Sequence, residues 1–278
     1  MANLSDILRE RGYAHQFSSE TLEEITDGAK RTVYLGVDPT ADSIHLGNFV
    51  QYMFLRRFAD AGHKVILIIG GGTALAGDPK PDVERSLTDA SVVAERATKL
   101  RAQAEKILGG VELMLVNNAD WLTKLNLMEF LRDTGKHFTV NNLIKKDAIS
   151  ARLESTDGIS FTEFSYPLLQ AYDFWHLHKT YGCDVQIGGS DQWGNIIAGV
   201  DLIRRKEGQK AYALSSPLII EKSTGKKFGK SEGNAVWLDP KKTSPFDFYQ
   251  FFLNTEDDMV EELMLKFTLI EKSEIDTT

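Results

Sequence analysis

The sequence predicts an α/β fold, a parallel sheet with helices packed on both of its faces. Short, β-branched apolar runs of strand length recur along the chain, at residues 32–37, 64–69, 111–116 and 185–187. Longer segments with helical spacing separate them, at residues 49–61, 84–108 (with Asp82 as a start signal), 162–181 and 193–206. Alternation of this kind places the strands parallel and lays the helices over the sheet.

The lengths of these segments predict one large domain with an insertion. The chain has 278 residues, 42% of them hydrophobic, and can bury a large core. Residues 120–157 lie between two predicted strands but are too long for a simple crossover, so we expect extra helices there. We divide the chain into a sheet domain, residues 1–243, and the start of a helical C-terminal region, residues 244–278.

Composition limits the classes of protein to consider. The formal net charge of −8 argues against a general nucleic-acid coat, so any polyanion should be bound at a local basic cluster. The longest aliphatic run, residues 65–69, is too short to span a bilayer, and the amino terminus lacks the pattern of a leader. A lone Cys183 excludes an internal disulfide and fits a reducing compartment. We expect a soluble, cytoplasmic protein.

The first candidate nucleotide-binding segment follows the predicted strand at residues 32–37. The chain turns at Asp38 and enters a helix near His45. In an open parallel sheet, ligands collect beyond the carboxyl ends of strands, where helix amino termini offer free N–H groups to phosphate. Gly47 would let a ribose or base approach the backbone, and His45 and Asn48 could donate to phosphate oxygens. Taken alone, the segment is better explained by a packed histidine and an ordinary helix-start glycine.

The second candidate is the loop at residues 225–233, which carries Lys227 and Lys230. Its glycines allow movement, and its lysines could neutralise a departing pyrophosphate. In isolation it is better explained as an exposed basic hairpin. As a pair, however, the two segments could grip a nucleoside triphosphate from two sides, and this favours adenylate-forming chemistry.

A glycine run at residues 70–79 does not match known phosphate loops. Gly72 and Gly77 have the spacing of a Walker motif, but Asp78 stands where that motif requires lysine. Leu75 occupies the third glycine position of a dinucleotide fingerprint counted from Gly70. The run therefore predicts a glycine-lined floor that ends in one carboxylate, Asp78.

A polar helix face predicts a pocket for an amino acid. On the predicted helix at residues 162–181, Tyr166, Gln170 and Asp173 are spaced by four and then three residues and share one face. A phenol, an amide and a carboxylate suit a zwitterionic ligand that carries a hydroxyl group. The alternative is that these three residues form a polar helix face exposed to solvent.

Residues 187–195 repeat the order of strand, glycine turn and helix. Asp191 could accept two ribose hydroxyls, and Gly189 would let an adenosine lie close to the backbone. The plainer alternative is that Ser190 or Asp191 only caps the helix.

His176, His178 and Cys183 do not predict a metal site. Residues two apart on a helix do not face each other, and no fourth ligand has suitable spacing. We expect ordinary helix residues here and predict no protein-bound metal.

Together these segments resemble a class I tyrosyl-tRNA synthetase of the bacterial type. The resemblance runs from about Tyr34 to Leu253 and is most specific within residues 160–205, which contain FTEFSY and QIGGSDQWGN. HLGN at residues 45–48 corresponds to a His-x-Gly-His box, and KFGKS at residues 227–231 to a Lys-Met-Ser-Lys-Ser loop. The resemblance implies a Rossmann-like catalytic domain that activates tyrosine with ATP and transfers it to tRNA(Tyr).

The resemblance also implies roles for individual residues. Tyr34 and Asp173 would bind the phenol of tyrosine, and its ammonium group would be held by Asp78, Tyr166 and Gln170. The catalytic residues facing the ATP phosphates would be Thr40, His45, Asn48, Lys227, Lys230 and Ser231. Other ATP contacts would come from Gly36, Asp38, Gly47, Gly189, Asp191 and Gln192, with Lys230 in both sets.

The implied reaction needs no nucleophilic side chain. The α-carboxylate of tyrosine is ionised at neutral pH and can attack the α-phosphorus of ATP, so the protein has to align the reactants and stabilise charge. ATP is thus a substrate, with Mg²⁺ on its phosphates, and no prosthetic group is expected. The family implies a homodimer, for which the inserted region offers an apolar surface formed by Trp121, Leu125, Leu127, Phe130 and Phe138.

The sequence departs from the family pattern at a few positions. Asn48 exchanges one hydrogen-bond donor for another, while Phe228 and Gly229 should change loop mobility more than charge. Between Asp78 and Glu84, Lys80 alone remains of the basic residues that many relatives carry. Relatives continue with a helical anticodon-reading domain, of which residues 244–278 would hold only the start, so we expect activation to be retained better than tRNA charging.

Three other functions stay open at this point. A non-catalytic tyrosine- or RNA-binding module with the same fold would not need His45 and the two lysines. Tryptophan activation is disfavoured because Tyr34 and Asp173 suit a phenol better than an indole. A nucleotidyltransferase would not need the helix face formed by Tyr166, Gln170 and Asp173.

Overall fold

A computed structural model of the chain describes residues 3–80, 83–156, 158–220, 225, 227–228 and 235–277. Two of the predicted catalytic residues, Lys230 and Ser231, lie outside the described residues, as does the predicted helix start signal Asp82. The lysine loop is therefore described here through Lys227 and Phe228.

The strands of the described chain are β1 (Gln16–Phe17), β2 (Thr32–Val37), β3 (Lys64–Ile69), β4 (Leu113–Asn117), β5 (Val185–Gly189) and β6 (Tyr212–Ser216). Its helices before the long helix at residue 161 are α1 (Leu4–Glu10), α2 (Glu23–Thr26), α3 (Leu46–Asp60), α4 (Thr73–Ala76), α5 (Ala90–Ile107), α6 (Ala119–Leu122), α7 (Leu127–Asp133), α8 (Val140–Leu143) and α9 (Asp147–Glu154). The later helices are α10 (Phe161–Tyr181), α11 (Trp193–Glu207), α12 (Pro245–Leu253), α13 (Asp257–Phe267) and α14 (Lys272–Ile275).

The strands form a single sheet with the order β1-β6-β5-β2-β3-β4. All neighbouring pairs are parallel except β1 with β6. The chain builds outward from β2 through β3 to β4, then returns to place β5 on the other side of β2. The predicted α/β class with a parallel sheet is confirmed, and the point where the strand order reverses lies between β2 and β5, where such sheets bind ligands.

The alternation of side chains along β2 divides the interior into two layers. Val33 and Leu35 pack into the larger apolar cluster with α3, whereas Tyr34 points to the opposite face and packs with Phe174 of α10. Strand residues alternate between faces, so a sheet covered on both sides needs large side chains at successive positions. Tyr34 is thereby placed under α10, the helix with the polar face.

The helix predicted at residues 84–108 is wrong at its start, because α5 begins only at Ala90. The backbone N–H of Arg85 donates to the Glu163 carboxylate at 3.0 Å, and its Nε donates to the carbonyl of Asp78 at 2.8 Å. These contacts tie the segment before α5 to α10 and keep it out of the helix. Strands β1 and β6 were not predicted, and β4 begins two residues later than predicted.

The C-terminal helices dock on the N-terminal part of the chain. Arg11 Nη1 donates to the carbonyl of Leu265 at 2.9 Å, and the Tyr13 hydroxyl donates to that of Lys266 at 2.6 Å. Arg57, near the end of α3, donates to the carbonyl of Thr268 at 2.5 Å. These bonds occupy the carbonyls at the end of α13 that have no partner within the helix. Over the described part of the chain, no helix is both long and apolar enough to cross a membrane.

Candidate active site

A cavity of about 260 Å³ opens at the carboxyl ends of β2 and β5. Every predicted site residue that the structure describes lines it, namely Tyr34, Gly36, Asp38, Thr40, His45, Gly47, Asn48, Asp78, Tyr166, Gln170, Asp173, Gly189, Asp191, Gln192 and Lys227. Segments up to about 190 residues apart in sequence therefore meet at the switch point of the sheet.

The Tyr34 hydroxyl lies at one end of this cavity without a hydrogen-bond partner. The residue is 1% exposed, and its ring packs edge-on against Phe174 with centroids 5.1 Å apart. Burial, with the nearby Asp173 carboxylate, raises the pKa of Tyr34 well above its usual value, so the group is a neutral phenol. A buried hydroxyl with no partner costs free energy, which a ligand able to hydrogen-bond it would recover.

Two side-chain donors hold the Asp173 carboxylate beside Tyr34. Asn118 Nδ2 donates to Oδ2 at 2.8 Å, and Trp121 Nε1 donates to Oδ1 at 2.7 Å. Burial raises the pKa of Asp173 to about 7, and these two hydrogen bonds oppose the rise. Because each oxygen retains a second lone pair, the carboxylate can still accept a hydrogen bond from a ligand.

Asn118 and Trp121 correct the sequence analysis. Asn118 is completely buried and was not identified, although a polar residue directly after β4 was a usable signal. Trp121 was expected on an apolar dimer surface, but its ring belongs to the layer around Tyr34 and its N–H donates to Asp173. Of the other residues of that predicted surface, Leu127 is 68% exposed, whereas Leu125, Phe130 and Phe138 are partly buried.

A chain of hydrogen bonds connects Asp173 with Asp38. Asn118 Nδ2 donates to the Thr73 hydroxyl at 2.9 Å, and that hydroxyl donates to Asp38 Oδ1 at 2.7 Å. Burial raises the pKa of Asp38 to about 6, against the effect of these hydrogen bonds. A Cβ on Gly70 would lie 1.9 Å from Asp38 Oδ1, so only glycine fits at the end of β3. Thr73 and Gly70 were not among the predicted site residues.

Two side chains at the start of α11 hold the Asp78 carboxylate by hydrogen bonds. Gln192 Nε2 donates to its Oδ2 at 2.9 Å and Asn195 Nδ2 to its Oδ1 at 3.2 Å. Burial is the main reason that the pKa of Asp78 is raised. Close by, the buried Oε1 atoms of Gln170 and Gln186 have no hydrogen-bond partner. The middle of the cavity thus offers acceptors, as the binding of an ammonium group requires.

The outer part of the cavity is built from the start of α3 and the turn after β5. His45 is the residue before α3 and packs edge-on against Trp237, with ring centroids 5.6 Å apart. A Cβ on Gly47 would lie 3.1 Å from both the His45 ring and the Phe228 carbonyl oxygen, so a side chain here would crowd both. At the turn after β5, Asp191 Oδ2 accepts a hydrogen bond of 3.1 Å from Lys227 Nζ. This ion pair is about half exposed and contributes little stability, so Lys227 can leave Asp191 and contact an anionic ligand instead.

A larger cavity of about 1160 Å³ adjoins the first and shares Asp78, Arg85, Asp191, Gln192 and Lys227 with it. Basic residues of the inserted region and of α11 line it, namely Lys145, Lys146 and Arg205. Lys146 donates to the carbonyl of Gly194, and burial lowers its pKa to about 8. The sequence predicted only that a polyanion would be bound at a local basic cluster, and it did not connect these residues with the site.

The histidines weighed as metal ligands have other contacts. His176 stacks on Trp121 with ring centroids 4.4 Å apart, and His178 Nδ1 lies 2.9 Å from the carbonyl oxygen of Cys183. In the described portions of the chain, no cluster of three or more His, Cys, Asp or Glu residues has the arrangement of a metal site.

Comparison with known proteins places the chain in a family. Residues 26–278 match the family model of tRNA synthetases class I (W and Y). The chain is 49% identical over 281 residues to the tyrosine–tRNA ligase of Roseiflexus castenholzii, covering 99% of this chain and 66% of that protein. It is 51% identical over 258 residues to the tyrosine–tRNA ligase of Tropheryma whipplei, covering 92% of this chain and 55% of that protein. The chain therefore spans between about half and two thirds of the length of these relatives.

Solved structures show the same fold. A C-terminally truncated mitochondrial tyrosyl-tRNA synthetase of Aspergillus nidulans has a TM-score of 0.87 at 32% identity, covering 100% of this chain and 83% of that one. The tyrosyl-tRNA synthetase of Archaeoglobus fulgidus, solved in complex with L-tyrosine, shares the fold at a TM-score of 0.72 and 18% identity, covering 96% of this chain and 81% of that one. With its parallel sheet and its cavity at the switch point, the chain belongs to the class I tRNA synthetases of the tryptophan and tyrosine type.

Proposed function

We propose that the chain is the catalytic part of a tyrosine–tRNA ligase, which activates L-tyrosine with ATP and transfers it to tRNA(Tyr). The observation that carries the proposal is the unpaired, buried Tyr34 hydroxyl beside the Asp173 carboxylate. A phenol placed between them would donate to Asp173 and accept from Tyr34. Phenylalanine would leave both groups unpaired, which costs far more than the loss of one contact in water.

The ammonium group of tyrosine would lie in the middle of the cavity. Asp78 and the unpaired Oε1 of Gln170 provide acceptors there, while the Tyr166 hydroxyl is oriented by its hydrogen bond to Asp38. The α-carboxylate would then lie toward the start of α3. Tryptophan fits the cavity less well, because an indole cannot both donate to Asp173 and accept from Tyr34.

ATP would occupy the outer part of the cavity. Gly47 and Gly189 leave room for the nucleoside, and Asp191 would exchange Lys227 for the ribose hydroxyls. Thr40, His45 and Asn48 would face the phosphates from one side and Lys227 from the other. Lys230 and Ser231 are assigned to the phosphates by sequence alone. Mg²⁺ would arrive with the ATP phosphates as part of the substrate.

Activation is then a direct displacement. An oxygen of the tyrosine carboxylate forms a bond to the α-phosphorus, the bond from that phosphorus to the bridging oxygen breaks, and pyrophosphate leaves. The residues of the cavity align the two reactants and stabilise the charge that moves onto pyrophosphate, which is the main contribution an enzyme makes to such a reaction. In the second step a ribose hydroxyl of the tRNA attacks the tyrosyl carbonyl and AMP leaves.

The adjoining basic cavity supports the second step. It meets the first at Asp191 and Gln192 and carries Lys145, Lys146 and Arg205. A cationic channel that ends at the activated carboxyl group suits the end of an RNA strand. We further propose a cytoplasmic location and a homodimer formed through the inserted helices, where Leu127 and Met128 are 68% and 71% exposed.

Exchange of labelled pyrophosphate into ATP, in the presence of each candidate amino acid, tests the first step on the 278-residue chain. We expect exchange with tyrosine and little with phenylalanine or tryptophan. Absence of tyrosine-dependent exchange, with the chain folded by circular dichroism, would favour a non-catalytic binding module. Charging of tRNA(Tyr), measured in parallel, tests the second step, and we expect it to be the weaker activity of this polypeptide.

A further inference from the structure

We infer that Phe228 is a positioning residue that anchors the lysine loop to the C-terminal helices and thereby holds Lys227 over the ATP site. The inference rests on the proposed function of the cavity, but the anchor itself can be measured without any activity. The sequence alone showed only that Phe228 differs from the family motif and gave it no positioning role.

Phe228 lies within the apolar core although it belongs to the lysine loop. Its side chain is 4% exposed, whereas that of its neighbour Lys227 is 51% exposed. The ring packs edge-on against Phe251 of α12 at 5.2 Å and tilted against Phe267 of α13 at 6.0 Å. Phe267 in turn stacks on Phe49 in the first turn of α3, with ring centroids 5.6 Å apart. We call Phe49, Phe228, Phe251 and Phe267 the aromatic anchor.

The backbone at Phe228 is also fixed on the side of the cavity. Its N–H donates to the carbonyl of Ile219 at 2.9 Å, and Lys227 forms a β-bridge with Ile220. Its carbonyl oxygen lies 3.1 Å from where a Cβ on Gly47 would be. A loop residue thus touches the start of α3 with its backbone and the C-terminal helices with its ring.

This arrangement determines where the Lys227 ammonium group can reach. A lysine side chain is long and flexible, and holding it in place costs rotamer entropy that a fixed backbone reduces. With residue 228 buried on one side of the chain, residue 227 must point to the other side, toward Asp191 and the cavity. The C-terminal helices therefore take part in the activation step through the anchor, although none of their residues lines the first cavity in the described part of the chain.

The first test uses Phe251→Ala, which removes an anchor contact and leaves the loop sequence unchanged. Hydrogen exchange followed by mass spectrometry should show faster exchange of the amide at residue 228 than in the parent chain. The matched control is Phe246→Ala, a residue of the same helix that is 69% exposed and makes none of the anchor's ring contacts. Equal protection of residue 228 in the parent and in Phe251→Ala would overturn the anchor, whatever the chain's activity.

The second test asks whether the anchor acts through Lys227. We expect Phe228→Ala to lower kcat for tyrosine-dependent pyrophosphate exchange on the order of 10- to 100-fold, as a displaced catalytic group does, with the dissociation constant for tyrosine unchanged. Phe228→Leu, which refills the core, should recover part of the rate. In a Lys227→Ala background, Phe228→Ala should have little further effect, because the group it positions is gone.

The outcomes separate the two proposals. Additive effects of Phe228→Ala and Lys227→Ala, or an equal loss of tyrosine binding, would mean that Phe228 only stabilises the fold and would refute its positioning role. If the parent chain shows no exchange reaction with tyrosine, the proposed function fails, while the hydrogen-exchange result still decides whether the anchor exists.

Discussion

The Tyr166 hydroxyl donates a hydrogen bond of 2.9 Å to Asp38 Oδ2 and so joins helix α10 to the end of strand β2. Together with the Thr73 and Asn118 bonds, it completes a continuous path from Asp173 through Asn118 and Thr73 to Asp38 and Tyr166. The two carboxylates of this path, Asp173 and Asp38, are buried in one cavity, and buried carboxylates with raised pKa values are typical of functional sites.

The buried carboxylates predict that the unliganded protein loses stability as the pH rises. The pKa of Asp173 is raised to about 7 and that of Asp38 to about 6, both above the ordinary aspartate value of 3.8. Between the ordinary aspartate pKa and these raised pKa values, the folded chain binds more protons than the unfolded chain. The free energy of unfolding therefore falls as the pH rises through 6 and 7. Asp173 alone should contribute a fall of about 3 kcal/mol between pH 5 and 8.

Urea unfolding without ligand at pH 5, 6, 7 and 8 measures this fall. In Asp173→Asn the carboxylate is gone, and the decrease in unfolding free energy over this range should be smaller than in the parent. Identical pH profiles in the two proteins would contradict a raised pKa at Asp173.

Tyr34→Phe should have opposite effects on stability and on binding. It removes a buried hydroxyl that has no partner, so the unliganded chain should be as stable as the parent or more stable by about 1 kcal/mol. Tyrosine binding should weaken by about 1–3 kcal/mol, roughly 5- to 150-fold, because the substrate phenol loses a donor. Binding of phenylalanine should weaken far less.

Thermal unfolding and titration calorimetry with both amino acids check this pair of effects. Parallel losses of stability and of tyrosine affinity would indicate that Tyr34 has a structural role only. An unchanged preference for tyrosine over phenylalanine would place the phenol elsewhere.

Trp121→Phe tests the support of Asp173. The substitution keeps an aromatic ring beside His176 but removes the N–H donor to Asp173. Since that hydrogen bond lowers the pKa of Asp173, its loss should raise this pKa further and weaken tyrosine binding most at acid pH. Trp175→Phe is the matched control, because the N–H of Trp175 donates to Glu207 instead.

Calorimetric titration with tyrosine between pH 6 and 8 gives the readout. We expect the pH midpoint for binding to move upward in Trp121→Phe and to stay in place in Trp175→Phe. The same midpoint in both variants would exclude Trp121 from the control of Asp173.

Local sequence patterns predicted the strands that are apolar and buried. Strands β2 and β3 have the predicted bounds because glycines or turn residues end apolar runs there, and all of β3 after Lys64 is buried. Strand β6 (Tyr212–Ser216) escaped prediction since it ends in two serines, both completely buried. Those serines lie beside the glycine turn of β5, a tertiary relationship that spacing along the chain does not reveal.

The predicted site residues that the structure describes line the cavity, but two residues that orient them were not predicted. Tyr166, Gln170 and Asp173 share a helix face, so their spacing alone brings them together. Asn118 and Thr73 orient Asp173 and Asp38 from other elements, and a polar residue in a turn gives no sign of whether it faces solvent or the interior. Which side of a turn is buried depends on how the sheet packs, which one sequence does not determine.

A homodimer through the inserted helices can be tested at α7. Leu127→Glu and Met128→Glu place charges on two side chains that are 68% and 71% exposed in the single chain, and buried unpaired charges disrupt an interface strongly. Light scattering coupled to size-exclusion chromatography should show a dimer for the parent and a monomer for the double variant. Phe246→Glu, on an equally exposed residue of α12, should leave the dimer intact. A monomeric parent would refute the proposed assembly.

Breaking the buried ion pair between Arg152 and Glu163 should strongly destabilise the fold. Both side chains are 2% exposed and their charged atoms lie 3.2 Å apart. Arg152 also donates to the carbonyl of Gly158, and Glu163 accepts from the backbone of Arg85, so the pair ties α9 and α10 to the segment before α5. Arg152→Met leaves an unpaired buried carboxylate and should lower the free energy of unfolding by about 3–5 kcal/mol.

The double variant Arg152→Met/Glu163→Gln removes both charges and should regain much of that loss, because the amide can still accept the Arg85 N–H. Urea unfolding of the parent, both single variants and the double variant gives the coupling energy. Arg101→Met breaks an ion pair that is more than half exposed, and it should cost less than about 1 kcal/mol. If Arg152→Met costs no more than Arg101→Met, the buried pair does not stabilise the wall of the cavity, and the position of Arg85 must depend on its contact with Asp78 instead.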